Sequence, residues 1–228
     1  MKILSIILAR KGSKRIKNKN LVYVKNKKLI EHSFRLSKKF NQFVDIMISS
    51  NDEKIIKIAK MYKILAPWKR PTNLSNDTSP SYKAVIHAYN WYKKKFSKVD
   101  GIFVLQPTSP FRSLNTIKKM VSLFKSHKTR SVICVSKCLE HPEWMVDIKN
   151  NRLKPYLSKR YFTYPSQKLR NLYRINGLGY LVNPDALIKE KTLVPKNSIC
   201  YINNSRIESI DIDNKEDLDL ARKINFKL

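Results

Sequence analysis

No stretch of the 228-residue sequence approaches the roughly 18 uninterrupted apolar residues that a membrane-spanning helix needs. The opening from Met1 to Ala9 lacks the small-residue cleavage site that ends a secretory leader, so a soluble, cytoplasmic protein is expected. Cysteine is scarce. Cys134, Cys138 and Cys200 form an odd set without a CxxC pair, and neither a disulfide framework nor a zinc site has the spacing it needs. Reduced, packed thiols are expected. Acidic residues are also few, 17 against 47 Lys and Arg, for a net charge of +30. Such a balance would suit nucleic acid or an anionic membrane. The cations, mostly Lys, are spread along the whole chain rather than gathered into an arm, and Asn and Ile are plentiful too. This pattern fits a compositional bias, and no dedicated nucleic-acid or membrane partner is expected. His32, His87, His127 and His141 show no metal-ligand spacing. A Walker A spacing, an internal repeat and low-complexity segments are likewise missing.

A hydrophobic fraction of 42% over this length supports one substantial core, and residues 1–228 are read as a single domain. The run Ile3 to Leu8 reads as a buried parallel strand. Compact β-branched or aromatic runs recur at Asp45 to Ser49, Gly101 to Leu105 and Ser131 to Ser136. Between them, Tyr82, Val85, Ile86 and Tyr89, and then Ile117, Met120, Val121 and Phe124, repeat at i, i+3, i+4 and i+7, one apolar face of a helix. Strands alternating with helices predict an α/β fold with a largely parallel sheet. The rhythm breaks from about 139 to 173, where an inserted subdomain or lid is expected. It resumes at Gly177 to Val182 and ends with Ile210 to Asp213 leading into a helix, for which Asn214 is the N-cap and Asp217 the capping-box partner.

Two constellations carry chemistry. The loop from Ala9 to Asn20 follows the first strand, at the sheet edge where α/β proteins bind ligands, and offers backbone N–H groups, a hydroxyl and several cations to a phosphate chain. Asp211 and Asp213, two apart on an expected strand, share a face, as a pair of magnesium-binding carboxylates would. Acids at a helix N-terminal turn are the alternative reading. Gln106-Pro107-Thr108-Ser109-Pro110 lies at the end of a strand and, as a bare string, is an ordinary loop.

The run Ile7 to Ile16 with Lys19-Asn20 resembles the opening signature of the acylneuraminate cytidylyltransferases. Further matches follow in order: Ser50-Asn51-Asp52, Arg70-Pro71 with Leu74, Asp77-Thr78 and Pro80, Gln106 to Arg112, Asn176-Gly177, and Asp211-Ile212-Asp213. The resemblance spans nearly the entire chain. It implies a three-layer Rossmann-like nucleotidyltransferase in which the insertion serves dimerisation, giving a homodimer. It implies transfer of CMP from CTP to the anomeric hydroxyl of an acidic nine-carbon keto-sugar, with Mg2+ and release of pyrophosphate. By the same resemblance Arg10, Ser13, Lys14, Lys19, Asn20, Arg70 and Asp77 serve the nucleotide, Gln106, Arg174, Asn176 and Tyr180 the sugar, and Asp211 and Asp213 the metal. Asp211, Lys19 and Arg10 are then the catalytic set, and Arg112 is a structural or active-site cation. Lys11, Arg15 and Lys17 read as solvated companions. The chain departs from the pattern at Ser166, Arg170 and Leu178-Gly179. The nucleotide half is thus better matched than the sugar half, and legionaminate-like or pseudaminate-like acceptors stand beside N-acetylneuraminate. An eight-carbon keto-sugar, or another nucleotide, is the alternative within the same chemistry; a basic nucleic-acid-binding protein is the alternative outside it.

Overall fold

Residues 1–127, 130–157 and 165–225 are described by the structure, a computed structural model. The first apolar run forms β1 (Ile3–Leu8), and a short antiparallel ribbon follows, β2 (Tyr23–Val24) with β3 (Lys27–Lys28). Then come α1 (Leu29–Lys39), β4 (Phe43–Ser49), α2 (Glu53–Met61), α3 (Ser81–Lys95), β5 (Gly101–Leu105), α4 (Leu114–Ser126) and β6 (Val132–Lys137). A hairpin of β7 (Val146–Lys149) and β8 (Arg152–Pro155) precedes β9 (Tyr173–Val182), α5 (Pro184–Glu190), β10 (Ile199–Ile202) and α6 (Lys215–Lys223).

One six-stranded sheet, in the order β10-β6-β9-β5-β1-β4, carries helices on both faces. β1 pairs in parallel with β4 and β5, and β10 with β6, whereas β9 runs antiparallel between β5 and β6. The sheet is therefore mixed rather than purely parallel. The chain leaves β6 and re-enters β9 at the same sheet edge, which fixes the opposite direction of β9. On one face, Phe34 of α1, Ile55 of α2 and the predicted stripe Ile117, Met120, Val121 and Phe124 of α4 close over β1, β5 and β9. On the other, Val85, Ala88, Tyr89 and Tyr92 of α3 and Leu187 of α5 pack against Leu4, Ile6, Ile102 and Val104. The alternation of β1 explains this split, because neighbouring side chains point to opposite faces.

A third cluster positions the site. Ile16 from the basic loop, Phe111, Ile212, and Leu218 with Ala221 of α6 bury one another with Val24 and Leu29. Residues 210–213 are not a strand, contrary to the sequence reading; this segment is held at the sheet edge by the Ile212 N–H, which donates to the Thr108 carbonyl at 2.8 Å. The predicted cap is present. Asn214 accepts from the Asp217 N–H at 2.8 Å, and the Asp217 carboxylate takes the N–H groups of Asp213 and Asn214 at 2.8 and 3.0 Å.

Gly179 lies where a Cβ would come within 2.8 Å of the Phe103 ring, so the departure Leu178-Gly179 is a packing accommodation on the core face of β9. Of the three free thiols only Cys134 is buried; Cys200 is exposed on the edge strand β10, so the expectation of packed thiols fails there. The break expected over about 139–173 contains the β7–β8 hairpin, and its residues 158–164 lie outside the described residues. No helix among the described residues is long and apolar enough to cross a membrane.

Candidate active site

The carboxyl ends of β1 and β5 open onto a cleft of about 660 Å³. The loop after β1 supplies Arg10, Ser13, Lys14, Arg15, Lys19 and Asn20, the segment after α2 supplies Arg70 and Asp77, the turn after β5 supplies Gln106 and Thr108, and the approach to α6 supplies Asp211 and Asp213. Five cations thus face three carboxylates in one cleft, the balance a triphosphate requires.

Local contacts brace the loop. The Lys11 N–H donates to Asn51 Oδ1 at 2.7 Å, and Asp52 caps α2 by accepting from the Lys54 N–H at 2.9 Å. The Ser50-Asn51-Asp52 motif therefore anchors the basic loop and starts the helix beside it. Asn20 Nδ2 donates to the Arg10 carbonyl at 3.1 Å, so its amide braces the loop from within. Lys19 Nζ is largely shielded and donates to the Ile212 carbonyl and to Asp213 Oδ1, each at 2.9 Å. Arg15 also approaches Asp213, at 3.6 Å, and lines the cleft, so it is more than a solvated companion.

Arg10 and Lys14 share Asp77, with Lys14 at 2.9 Å. Hydrogen bonds from Lys14 and Arg10 hold the Asp77 carboxyl below its ordinary range. Asp77 thus fixes the position of both cations at the cleft. Arg70 is different. The residue is 6% exposed, and Nε and one terminal nitrogen lack hydrogen-bond partners among the described residues. Burial, with Arg10 nearby, lowers its pKa to about 10. A desolvated cation with open donors at a cleft wall is a ready partner for an anion.

Asp211 and Asp213 flank the buried Ile212, and both carboxylates line the cleft. Asp213 is partnered by Lys19 and Arg15, whereas Asp211 Oδ1 is buried with no hydrogen-bond partner among the described residues. Burial raises the Asp211 carboxyl above its ordinary value and Asp213 adds to the rise, while the Thr108 hydroxyl, Lys19 and Arg112 oppose it. Among the described residues no group of three or more His, Cys, Asp or Glu is placed to hold a metal. Two carboxylates, one with an orphaned buried oxygen, fit magnesium, which keeps waters and takes phosphate oxygens alongside one or two protein carboxylates.

The residues assigned by resemblance to the sugar separate into two groups. Gln106 lines the cleft, and Gly177, at φ 72°, leaves the space beside its side chain: a Cβ there would stand 3.1 Å from Gln106 Oε1 and 3.8 Å from Asp211 Oδ2. Arg174 is exposed and lines a second cleft of about 760 Å³ that adjoins the first at Asp211 and Asp213. Asn176 lines neither of these clefts. It is buried, its amide donates to Ser136 Oγ at 2.7 Å and to Cys134 Sγ at 3.4 Å, and its Oδ1 accepts from the Leu178 N–H at 3.1 Å, so its polar atoms are used in shaping β9. Tyr180 also lines neither; it packs against the core, and burial, with Asp211 nearby, pushes its phenol up. Arg112 is fully buried and donates to the carbonyls of Leu178 and, at 3.1 Å, Gln106, which makes it structural. Sequence reasoning did not single out Asn76, Ser79 and Ser81, which line the first cleft; the serines flank Pro80 in the quoted motif, the one signal that could have found them.

Comparison with known proteins places the chain among characterised relatives. A family model described as Cytidylyltransferase matches residues 4–225. The chain is 32% identical to the CMP-N,N'-diacetyllegionaminic acid synthase of Legionella pneumophila, over 98% of this chain and 96% of that protein. It is 30% identical to a pseudaminic acid cytidylyltransferase of Campylobacter jejuni, over 100% of this chain and 97% of that protein. Among solved structures, CMP:2-keto-3-deoxy-manno-octonic acid synthetase complexed with CTP has the same fold, with a TM-score of 0.72 at 14% identity over 97% of each chain.

Proposed function

The chain belongs to the cytidylyltransferase family, and from that membership we propose that it transfers CMP from CTP to the anomeric hydroxyl of an acidic nine-carbon keto-sugar. One observation carries this reading: five cations and an orphaned buried carboxylate oxygen converge on a single cleft at the carboxyl ends of β1 and β5. The two full-length relatives act, by their names, on legionaminic and pseudaminic acids, which favours an acceptor of this class. A cytoplasmic setting belongs to the reading, since the reaction consumes a nucleoside triphosphate.

In the transfer, the anomeric oxygen forms a bond to the α-phosphorus as the bond from that phosphorus to the bridging oxygen of the β-phosphate breaks, and pyrophosphate leaves with the electron pair. Arg10, Lys14 and Arg70 bind the phosphate oxygens and offset the charge that builds on the departing group. Ser13 and the loop N–H groups orient the chain of phosphates. Lys19, fixed by Asp213 and the Ile212 carbonyl, holds the basic loop against the carboxylates. Asp211 accepts the proton of the attacking hydroxyl, a task suited to a carboxylate whose buried oxygen has no other donor. Asp211 and Asp213 would hold magnesium, which supplies Lewis-acid polarisation of the phosphate when bound.

Pyrophosphate release from CTP with magnesium and a panel of N-acetylneuraminate, legionaminate, pseudaminate and the eight-carbon keto-acid tests the reading. Release with a nonulosonic acid is expected; turnover with the eight-carbon acid alone would reassign the acceptor, and silence with all would overturn the enzyme. Asp211→Ala is expected to keep the melting profile and lose most of the activity.

A homodimer built on the insertion is part of the same proposal. Ile148, Leu153 and Tyr156 of the β7–β8 hairpin region are 67%, 73% and 70% exposed, an apolar surface that a second copy would cover. The double variant Ile148→Lys and Leu153→Lys is expected to convert a dimer to a monomer by light scattering, and a wild-type monomer at micromolar concentration would refute the assembly.

A further inference from the structure

Asp211 lies in no helix or strand, yet its carboxylate must be held in one place if it is to take the proton of the attacking hydroxyl. Backbone outside regular structure is ordered by the partners its polar groups find elsewhere, so the contacts of the approach, residues 203–210, decide how well Asp211 is placed. The approach is folded on itself. The Ser205 N–H donates to Asn203 Oδ1 at 2.9 Å, the Glu208 N–H to Ser205 Oγ at 3.2 Å, and the Ser209 N–H to the Ser205 carbonyl at 3.1 Å. It is also tied to the sheet, where the Asn203 N–H donates to the Val135 carbonyl of β6 at 2.8 Å and Ser136 Oγ meets Ser209 Oγ at 2.8 Å.

A third tie runs through Glu208, whose side chain lines neither of the two clefts. Its Oε2 accepts from the Thr116 hydroxyl at 2.6 Å, from Asn203 Nδ2 at 3.2 Å and from the Ser113 N–H at 3.3 Å. Ser113 is the N-cap of α4 and Thr116 lies in its first turn, so the carboxylate sits where a helix start favours negative charge. Thr116 is 1% exposed, which places the junction inside the protein on the helix side.

The far side of this junction leads back to Asp211. Helix α4 begins where the turn after β5 ends, and that turn carries Thr108. The Ile212 N–H donates to the Thr108 carbonyl at 2.8 Å, and the Thr108 hydroxyl is bonded to the Asp211 carboxylate. Arg112 stiffens the turn from within by donating to the carbonyls of Gln106 and Leu178. Asp211 is therefore spanned: Glu208 before it and Ile212 after it are fastened to the same stretch, residues 108–116.

We propose, resting on the cytidylyltransferase reading above, that Glu208 is a positioning residue for the transfer, fixing the Asp211 carboxylate by fastening its approach to the start of α4 while touching neither substrate.

Initial rates of pyrophosphate release from CTP, with the nonulosonic acid the unaltered protein turns over, test it. Glu208→Ala, Glu208→Gln and Thr116→Val are compared, each alone and together with Asp211→Asn. Glu208→Ala is expected to lower kcat about tenfold, as a misaligned proton acceptor would, with the KM for CTP within about twofold of the parent. Glu208→Gln keeps an acceptor oxygen and is expected to recover kcat to within about threefold. Thr116→Val removes the shortest of the three bonds from the α4 side and is expected to lower kcat about threefold; it decides the question if Glu208→Ala shows no cooperative melting. Beside Asp211→Asn, with no carboxylate left to place, each variant is expected to lower the remaining rate by less than about twofold. Equal losses in both backgrounds, a loss carried by the KM for CTP, or an unchanged kcat with a lowered melting temperature would make Glu208 purely structural while the cytidylyltransferase reading stands. If Asp211→Asn is as active as the parent, the role of Asp211 falls and that of Glu208 with it; if the unaltered protein releases no pyrophosphate with any acid, the cytidylyltransferase reading itself falls and takes both.

Discussion

Arg112 brings a full charge into the interior with no hydrogen-bonded carboxylate among the described residues, meeting instead the carbonyls of Leu178 and Gln106. Burial lowers its pKa to about 10, with Cys134, Asp211 and Glu208 working the other way, so it stays protonated at neutral pH. Its bonds tie the middle of β9 to the turn carrying Gln106. Arg112→Met removes the desolvation of the cation but strands two buried carbonyls, and the second effect is expected to win by about 1–3 kcal/mol. The midpoint of urea unfolding reads this directly; an unchanged midpoint would mean the two terms cancel. At this scale the sequence was uneven. The resemblance grouped the loop cations with Asp211 and Asp213, and the structure brings them to one cleft, although the two carboxylates do not lie on the strand expected for them. The burial of Arg112, the orphaned donors of Arg70 and the inward turn of Asn176 depend on contacts across 66, 20 and 40 residues of chain respectively, to Leu178, Ser50 and Ser136, which no local pattern encodes.

Helix α6 does more than cover the third cluster. Its first turn takes the Asp213 and Asn214 N–H groups on one carboxylate, that of Asp217, so the helix start also mounts Asp213, one of the two carboxylates proposed to hold magnesium. Asp217→Ala is expected to cost about 1 kcal/mol of stability, the usual worth of a cap. It is also expected to weaken the magnesium dependence of turnover, seen as a higher half-saturating concentration, whereas Asp217→Asn keeps one acceptor oxygen and loses less. A stability loss with unaltered magnesium dependence would separate the cap from the site. The capping box itself was legible from Asn214 and Asp217. The direction of β9 was not, because it follows from the route of the chain through the insertion rather than from residue periodicity. The second cleft was hidden for a related reason, being assembled from segments around 136–139, 174 and 203–213.

Across the molecule, a net charge of +30 sets every cation of the cleft in a field of its own sign. Self-repulsion opposes compactness and, at the same time, attracts a triphosphate from a distance. Raising the ionic strength from about 0.01 M to about 0.15 M shortens the screening length from about 30 Å to about 8 Å. The melting temperature is therefore expected to rise and the KM for CTP to rise with it; a melting temperature that falls would show that paired charges outweigh repulsion. Layer order and strand–helix alternation were readable at this scale because periodicities of two and of 3.6 each recur on schedule. One feature of the insertion bears on how such a molecule can vary. The Cys138 N–H meets the Leu172 carbonyl at 2.9 Å, and Lys137 pairs with Tyr173, so the excursion starts and finishes at one point on adjoining strands. A segment that leaves and rejoins its scaffold at one closed point can be exchanged, lengthened or redecorated without altering the register of the sheet, so the cleft at the ends of β1 and β5 can stay constant while the surface of the excursion diverges.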